Sequence, residues 1–142
     1  MTEPTEPRRM QLTGLHHVTL IVCDLAATTA FYRDTLGLAL VEQGVNQDDT
    51  AHHRHFWFGD GAGSAGTLLS FMEYTEMQPV RPGPGAAHHL ALTVDSAAEL
   101  EAWRDYLRSR SVQTTEIIDR GRFSSLYLRD PDGHILELAT RV

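Results

Sequence analysis

The chain repeats itself about halfway along its length, and this duplication constrains its fold more than any other feature. Residues 14–22 read Gly-Leu-His-His-Val-Thr-Leu-Ile-Val, and residues 86–94 read Ala-Ala-His-His-Leu-Ala-Leu-Thr-Val. An acidic residue follows each run, Asp24 in the first copy and Asp95 in the second. Such a repeat predicts two copies of one supersecondary unit that pack together.

Each copy has the pattern of a strand, a helix and then further strands. Ser96 and Glu99 form a capping box that starts the second helix, while Asp24 and Gly37 are the expected ends of the first. The predicted later strands are His55–Gly59, Thr67–Met72, Ser124–Arg129 and His134–Thr140, with residues 38–46 and 111–118 as the additional strands. The expected fold is α+β, with two tandem βαβββ modules.

The length and the loop composition predict one domain. We expect residues 11–142 to form it, with module one at 11–77, a linker rich in proline and glycine at 78–85, and module two at 86–142. Residues 1–10 are polar, contain two prolines and are predicted to be a disordered tail.

Composition excludes several classes of function. All 12 basic residues are arginines, so no lysine can form a Schiff base or bind phosphate in a P-loop. The single cysteine excludes a multi-cysteine metal site, and the net charge of −7 argues against nucleic-acid binding. Neither a membrane-spanning run nor a signal peptide is recognisable, so a cytoplasmic protein is expected.

Alternation along the strands places the polar residues on one face. In the first strand Val18, Leu20 and Val22 form the apolar face that suits a helix, and His17 lies on the other face. The same parity applied to the other strands predicts that one concave face of a curved sheet collects His17, His55, His89, Tyr127 and Glu137.

Two of these histidines and the glutamate have the chemistry of a metal site. Two imidazoles and one carboxylate are the ligand set of Fe(II) centres with open positions. Hydrogen-bonded core histidines with a glutamate at the rim are the alternative. A histidine at the same place in both copies favours the metal, with His17, His89 and Glu137 as ligands.

These residues carry a resemblance to a known family. A duplicated βαβββ module with a histidine near the start of each half, and Asp-Pro-Asp-Gly followed by Glu137, resembles the vicinal oxygen chelate superfamily. That superfamily includes glyoxalase I, bleomycin- and fosfomycin-resistance proteins and extradiol dioxygenases. The resemblance covers residues 14–140 and implies a half-open, glyoxalase-like barrel around one divalent metal.

Within the superfamily the chain looks most like ring-cleaving dioxygenases of the hydroquinone type. The resemblance rests on residues 15–19, 45–49, 55–60 and 119–137. It implies a dioxygenase that uses Fe(II), or Mn(II) or another divalent ion, to cleave a small aromatic diol with O2. His55 would be the acid/base and Tyr127 would hydrogen-bond the substrate oxygen. The extradiol signature also wants a histidine near residues 118–120, which is missing, and such enzymes usually have two barrels where this chain has one.

Two other functions stay open at this stage. One is a metal-dependent glutathione or thiol transferase, or a lyase, of the fosfomycin-resistance or glyoxalase type. The other is a metal-free binding protein like those of bleomycin resistance. A homodimer is expected, and the modules could pair within the chain or across two chains.

The remaining motifs receive minor roles. Residues 61–66 match G-x-G-x-x-G but precede a predicted strand, so a hairpin loop is expected and no nucleotide cofactor. His52 and His53 are expected in a polar loop. His16 and His88 are expected near the site or an interface, and His134 receives no role.

Overall fold

The computed structural model describes residues 11–46 and 53–142, so the predicted tail and His52 lie outside the described residues. In module one, strand β1 (His17–Val22) is followed by helix α1 (Leu25–Thr29), which continues as a π-helical segment (Ala30–Thr35). Strands β2 (Ala39–Val45), β3 (Arg54–Gly59) and β4 (Leu68–Glu73) complete it. In module two, β5 (Leu90–Val94) leads to α2 (Ala97–Ser109), β6 (Ile118–Asp119), β7 (Ser124–Arg129) and β8 (Ile135–Thr140).

Each module forms its own four-stranded mixed sheet. The strand orders are β1-β4-β3-β2 and β5-β8-β7-β6, and the first strand of each module pairs in parallel with the last. The predicted α+β fold of two βαβββ modules is therefore confirmed. The two sheets are not closed into a barrel, and within the described chain β1 and β5 are both edge strands.

The helix ends follow the predicted signals. The Asp24 carboxylate accepts a hydrogen bond from the backbone N–H of Ala26, and the Ser96 hydroxyl accepts one from that of Glu99. Gly37, in the left-handed region at φ +82°, follows the first helix. The π-helical segment was not predicted. Hydrogen bonds between residues five apart stabilise it; for example, the backbone N–H of Leu36 donates to the carbonyl of Phe31 at 2.9 Å.

One predicted strand is much shorter than expected. Of residues 111–118, only Ile118 joins a strand, together with Asp119. Ser111 takes a left-handed conformation at φ +63°, and Thr115 bonds to Tyr127 through its backbone N–H and its hydroxyl. Because a side chain takes part in this connection, the segment approaches β7 without forming a regular ladder.

The two modules share one hydrophobic core. It includes Phe58 and Phe71 from the first sheet, Leu126 and Leu136 from the second, and Leu100 from α2, all fully buried. The apolar face of each sheet is thus turned toward the common core, as the strand parity predicted. The opposite face of each sheet, which carries the histidines, is turned away from that core.

Polar contacts also join the modules. Tyr32, in the π-helical segment, donates from its hydroxyl to the buried carboxylate of Asp130 at 2.7 Å. The hydroxyl of Tyr106 in α2 donates to the carbonyl of Thr35 at 2.7 Å.

No helix in the described part of the chain is long and apolar enough to cross a membrane.

Candidate metal and substrate site

The predicted site residues fall into two groups, one on each sheet. We call His17, Trp57, His55, Thr19 and Ser70 half-site one. Half-site two, on the second sheet, contains His89, Glu137, Tyr127 and Arg120. The two are related by the repeat, since Ser70 pairs with Thr19 and Trp57 as Glu137 pairs with Ala91 and Tyr127.

Half-site two brings a histidine and a carboxylate together. His89 Nε2 lies 2.9 Å from Glu137 Oε1. Glu137 is 4% exposed, and its Oε2 is buried without a hydrogen-bond partner among the described residues. A buried carboxylate oxygen that stays unsatisfied is costly unless something binds it.

This arrangement fits a divalent metal. Two ligand atoms that bind a metal at about 2.1 Å and at right angles lie about 3.0 Å apart, close to the separation of His89 Nε2 and Glu137 Oε1. The unpartnered Oε2 adds a further donor on the same side chain. The imidazole and carboxylate of half-site two therefore suit a divalent ion.

Tyr127 lies directly beside this pair. It is the cross-strand partner of Glu137, and its ring contacts the His89 imidazole edge-on at 5.5 Å between centroids. Arg120 Nη2 donates to the Tyr127 hydroxyl oxygen at 3.1 Å, and the guanidinium also lies over the phenol ring. Arg120 received no role from the sequence, although it lies next to Asp119 in one of the motifs that carried the resemblance.

Half-site one is an aromatic row. The His17 ring contacts Trp57 at 4.8 Å, and Trp57 contacts the His55 ring at 5.1 Å. Ser70 stands where half-site two has Glu137, and its hydroxyl is 2.6 Å from that of Thr19. Half-site one thus contains one of the three predicted metal ligands, His17, and half-site two contains the other two. Trp57 lies two residues after His55, so the same strand parity puts it on this face, but nothing in the sequence indicated its contact with both histidines.

The neighbouring histidines show the same pairing in both modules. His16 Nδ1 lies 3.0 Å from His17 Nδ1, and His88 Nδ1 lies 2.9 Å from His89 Nδ1. Each first histidine is thus positioned to orient the ring of the second. His53 contacts the Tyr74 ring at 4.1 Å and Glu76 at 3.3 Å.

The three predicted ligands do not converge within one chain. Among the described residues, Asp130, Asp132 and His134 form the only group of three or more His, Cys, Asp or Glu whose ligand atoms lie within 4.8 Å of one another. His17 therefore lies apart from the His89–Glu137 pair, and the full ligand set stays a prediction.

The Asp130 group is explained by its role in a turn. Asp130 Oδ2 accepts hydrogen bonds from Tyr32 and from His134 Nδ1, and its Oδ1 accepts from the backbone N–H groups of Asp132 and His134. Asp132 accepts from the backbone N–H of Cys23. Asp130 and Asp132 already accept hydrogen bonds from both modules, and this turn joins them.

Comparison with known proteins identifies the family of the chain. Residues 14–138 match the glyoxalase, bleomycin resistance protein and dioxygenase superfamily. The chain belongs to this superfamily.

Three relatives illustrate its range. MhqA of Bacillus subtilis, provisionally named a ring-cleaving dioxygenase, is 30% identical over 91% of this chain and 40% of its own length. The metallothiol transferase FosB of Staphylococcus saprophyticus is 30% identical over 89% of this chain and 76% of its own length. A crystal structure of a provisionally named dioxygenase from Bacillus subtilis superposes with a TM-score of 0.82 at 33% identity, over 90% of this chain and 40% of that one. This chain thus spans about 40% of the length of the ring-cleaving relatives.

Proposed function

We propose that this protein is a Fe(II)-dependent dioxygenase that cleaves a small aromatic diol, of hydroquinone or catechol type, with O2. The observation that carries the proposal is the His89–Glu137 pair at 2.9 Å, with a phenol beside it and a buried carboxylate oxygen that has no partner in the part of the chain that the structure describes. The similarity to MhqA and to two further proteins named as ring-cleaving dioxygenases supports the same reaction class.

In this proposal His17, His89 and Glu137 hold the metal. Two neutral imidazoles and one carboxylate leave open positions on a divalent ion, as the diol and O2 require. When bound, Fe(II) would supply the redox chemistry that O2 needs and that no side chain provides; Mn(II) or another divalent ion could occupy the same ligands.

Tyr127 is proposed to bind a substrate oxygen. The Arg120 guanidinium donates to the Tyr127 hydroxyl oxygen, so the phenolic hydrogen is free to donate elsewhere. Because Tyr127 lies opposite Glu137 across the strand pair, that hydrogen is available next to the carboxylate. Arg120 therefore acts as a positioning residue for Tyr127.

His55 is the proposed acid/base. An imidazole changes protonation near neutral pH, so it can accept the proton of a diol hydroxyl and return it later. The Trp57 ring contacts the imidazoles of both His55 and His17 and so connects the two histidines. Half-site one would then supply the proton-transfer group together with one metal ligand.

We further propose that two copies of the chain complete each site. His17 lies apart from His89 and Glu137 within one chain, while β1 and β5 both present strand edges that are unpaired among residues 11–46 and 53–142. Unpaired edges are natural surfaces for pairing with a second chain. In a two-fold dimer, half-site one of each copy would face half-site two of its partner, and two equal sites would form.

The proposal is tested by O2 uptake. Protein purified anaerobically and loaded with Fe(II) is expected to consume O2 with at least one hydroquinone or catechol, and not when metal-free. Glu137→Gln is expected to lower Fe(II) affinity by at least 10-fold and O2 uptake by at least about 100-fold. Glu101→Gln, an equal loss of charge on the exposed side of α2, is the matched control and should keep both. No O2 uptake across a panel of diols would overturn the proposal.

A cytoplasmic location stays a prediction.

A thiol transferase is the second candidate, because FosB aligns with most of this chain. That function would use the same two histidines and glutamate. It predicts metal-dependent transfer of a thiol to an epoxide without O2 consumption. A metal-free binding protein would instead keep its ligand affinity in His17→Ala and show no Fe(II) binding.

A further inference from the structure

Half-site two is continued along its sheet by a cavity that is open to the surface and that the proposed reaction does not use. The cavity has a volume of about 450 Å³ and is lined by Thr93, Phe123, Ala139, Thr140, Arg141 and Val142. Thr93 and Ala139 are cross-strand partners on the same face as Glu137, two residues further along their strands. Two residues of a strand span about 7 Å, roughly the width of one aromatic ring.

The repeat shows that this space is particular to module two. Thr93, Ser125 and Ala139 are mutual cross-strand neighbours, and the equivalent positions of module one hold Ile21, His55 and Met72. Three small side chains in module two thus replace three large ones. Because the backbone registers are the same, the difference in side-chain volume opens room beside half-site two.

The lining indicates what the cavity would accept. Phe123, Ala139 and Val142 make much of its wall apolar. Arg141 is the one charged side chain of the lining, and it is engaged by Asp95 at 2.9 Å. An uncharged, apolar group is therefore favoured over an anion. The volume also falls within the range of ligand pockets, about 300–1,000 Å³, and exceeds what a methyl group needs.

We propose that this cavity is a substrate subsite that holds a bulky, uncharged apolar substituent, of about the size of a phenyl ring, on the diol. The inference rests on the proposed function, because it places the diol oxygens at half-site two. Thr93 and Ala139 determine specificity by remaining small, and Phe123 offers an aromatic edge for the substituent.

The test fills the cavity with the side chains that module one uses. In Ala139→Met and Thr93→Ile, the ratio of kcat/KM for phenylhydroquinone to kcat/KM for hydroquinone is expected to fall at least 10-fold. If the wild-type protein cleaves only catechols, 3-phenylcatechol and catechol are the pair. Ala102→Met, on the exposed side of α2, adds the same side chain outside the cavity and should leave the ratio unchanged.

A binding measurement separates this proposal from the proposed function. Calorimetric titration of 3-phenylphenol and phenol, neither of which is a diol, should show tighter binding of the phenyl compound, and both variants should remove that preference. Diol cleavage by the wild type with ratios within twofold in the folded variants would overturn the subsite alone. A binding preference without O2 uptake would overturn the dioxygenase and keep the subsite, and no preference in the wild type would overturn the subsite. Should Ala139→Met not fold, Thr93→Ile, at an exposed position, decides the outcome.

Discussion

Ser70 and Glu137 occupy equivalent positions in the two modules, and we expect the difference between them to determine the chemistry of the proposed site. Glu137 keeps a buried, unpartnered oxygen among the described residues, whereas the Ser70 hydroxyl is taken up by Thr19 at 2.6 Å. A carboxylate at both positions would supply a fourth ligand. Its absence from half-site one keeps the predicted metal at three protein ligands, which suits a reaction that must admit both a diol and O2.

At the same scale, Tyr127→Phe is expected to lower kcat for diol cleavage by about 100-fold, because it removes the proposed hydrogen bond to the substrate oxygen. Fe(II) affinity should change by less than about twofold, since the hydroxyl is not a ligand. Steady-state O2 uptake and anaerobic Fe(II) titration measure the two effects. Tyr106→Phe, which removes a hydroxyl that bonds to the carbonyl of Thr35 and belongs to neither half-site, is the matched control. An equal loss of kcat in both variants would contradict the role of Tyr127.

At the scale of elements, the turn between β7 and β8 links the two modules through polar contacts. Burial alone would raise the pKa of Asp130, but hydrogen bonds from His134 and Tyr32 outweigh it and hold that pKa below its ordinary value. Burial, together with the neighbouring Asp130 carboxylate, raises the pKa of Tyr32 far above its ordinary value. The turn thus keeps an ionised Asp130 against a neutral phenol.

Tyr32→Phe removes one donor to that buried carboxylate and is expected to lower the free energy of unfolding by about 1–3 kcal/mol. The ring stays in place against Phe71, so the change is confined to the hydrogen bond. Urea denaturation followed by circular dichroism measures it. Tyr106→Phe, which removes a hydrogen bond to the uncharged carbonyl of Thr35, is the matched comparison and should cost less, about 0.5–1.5 kcal/mol. A change below about 0.5 kcal/mol would mean that the Tyr32–Asp130 hydrogen bond contributes little to the free energy of unfolding.

His134 makes the stability that this turn contributes dependent on pH. Its hydrogen bond to Asp130 raises the pKa of His134 above the ordinary value of 6.5, and a bond to the backbone of Ile21 acts in the same direction. A raised folded-state pKa stabilises the fold fully below about pH 6.5, and that contribution is lost as the pH rises through the folded-state value. The stability difference between wild type and His134→Gln should therefore be largest at pH 5–6 and shrink by pH 9. Melting temperatures across that range measure it, and a constant difference would exclude the linkage.

The sequence predicted the elements well because their signals are local. The repeat, the caps at Asp24 and Ser96 and the strand parity act over a few residues, and the structure confirms them. The prediction of a strand over residues 111–118 was wrong, because the Thr115 side chain hydrogen-bonds to Tyr127 where a regular strand would use its backbone. The periodicity of the sequence does not indicate such a bond. The hydrogen bond of His134 to Asp130 and that of Arg120 to Tyr127 form only in the folded chain. The sequence alone therefore could not assign a role to His134 or Arg120.

At the scale of the whole molecule, the shared core determines where the half-sites lie. Both sheets turn their apolar faces inward, so each half-site faces away from its own chain's core. Parity predicts which face a residue occupies but says nothing of how two sheets are placed relative to each other. For that reason His17, His89 and Glu137 could be proposed as ligands from the sequence, whereas their separation within one chain could not be predicted.

A site completed across two chains can be tested by subunit complementation. His17→Ala and Glu137→Gln should each be inactive alone. When the two are unfolded together and refolded, half of the dimers should be mixed, and one of the two sites in a mixed dimer should contain only native ligands. The expected activity is about a quarter of that of wild type refolded in the same way. Glu137→Gln mixed with His89→Ala is the matched control, because both changes fall in half-site two and no site can be restored. An inactive mixture that sizes as a dimer would mean that His17 does not act across the interface.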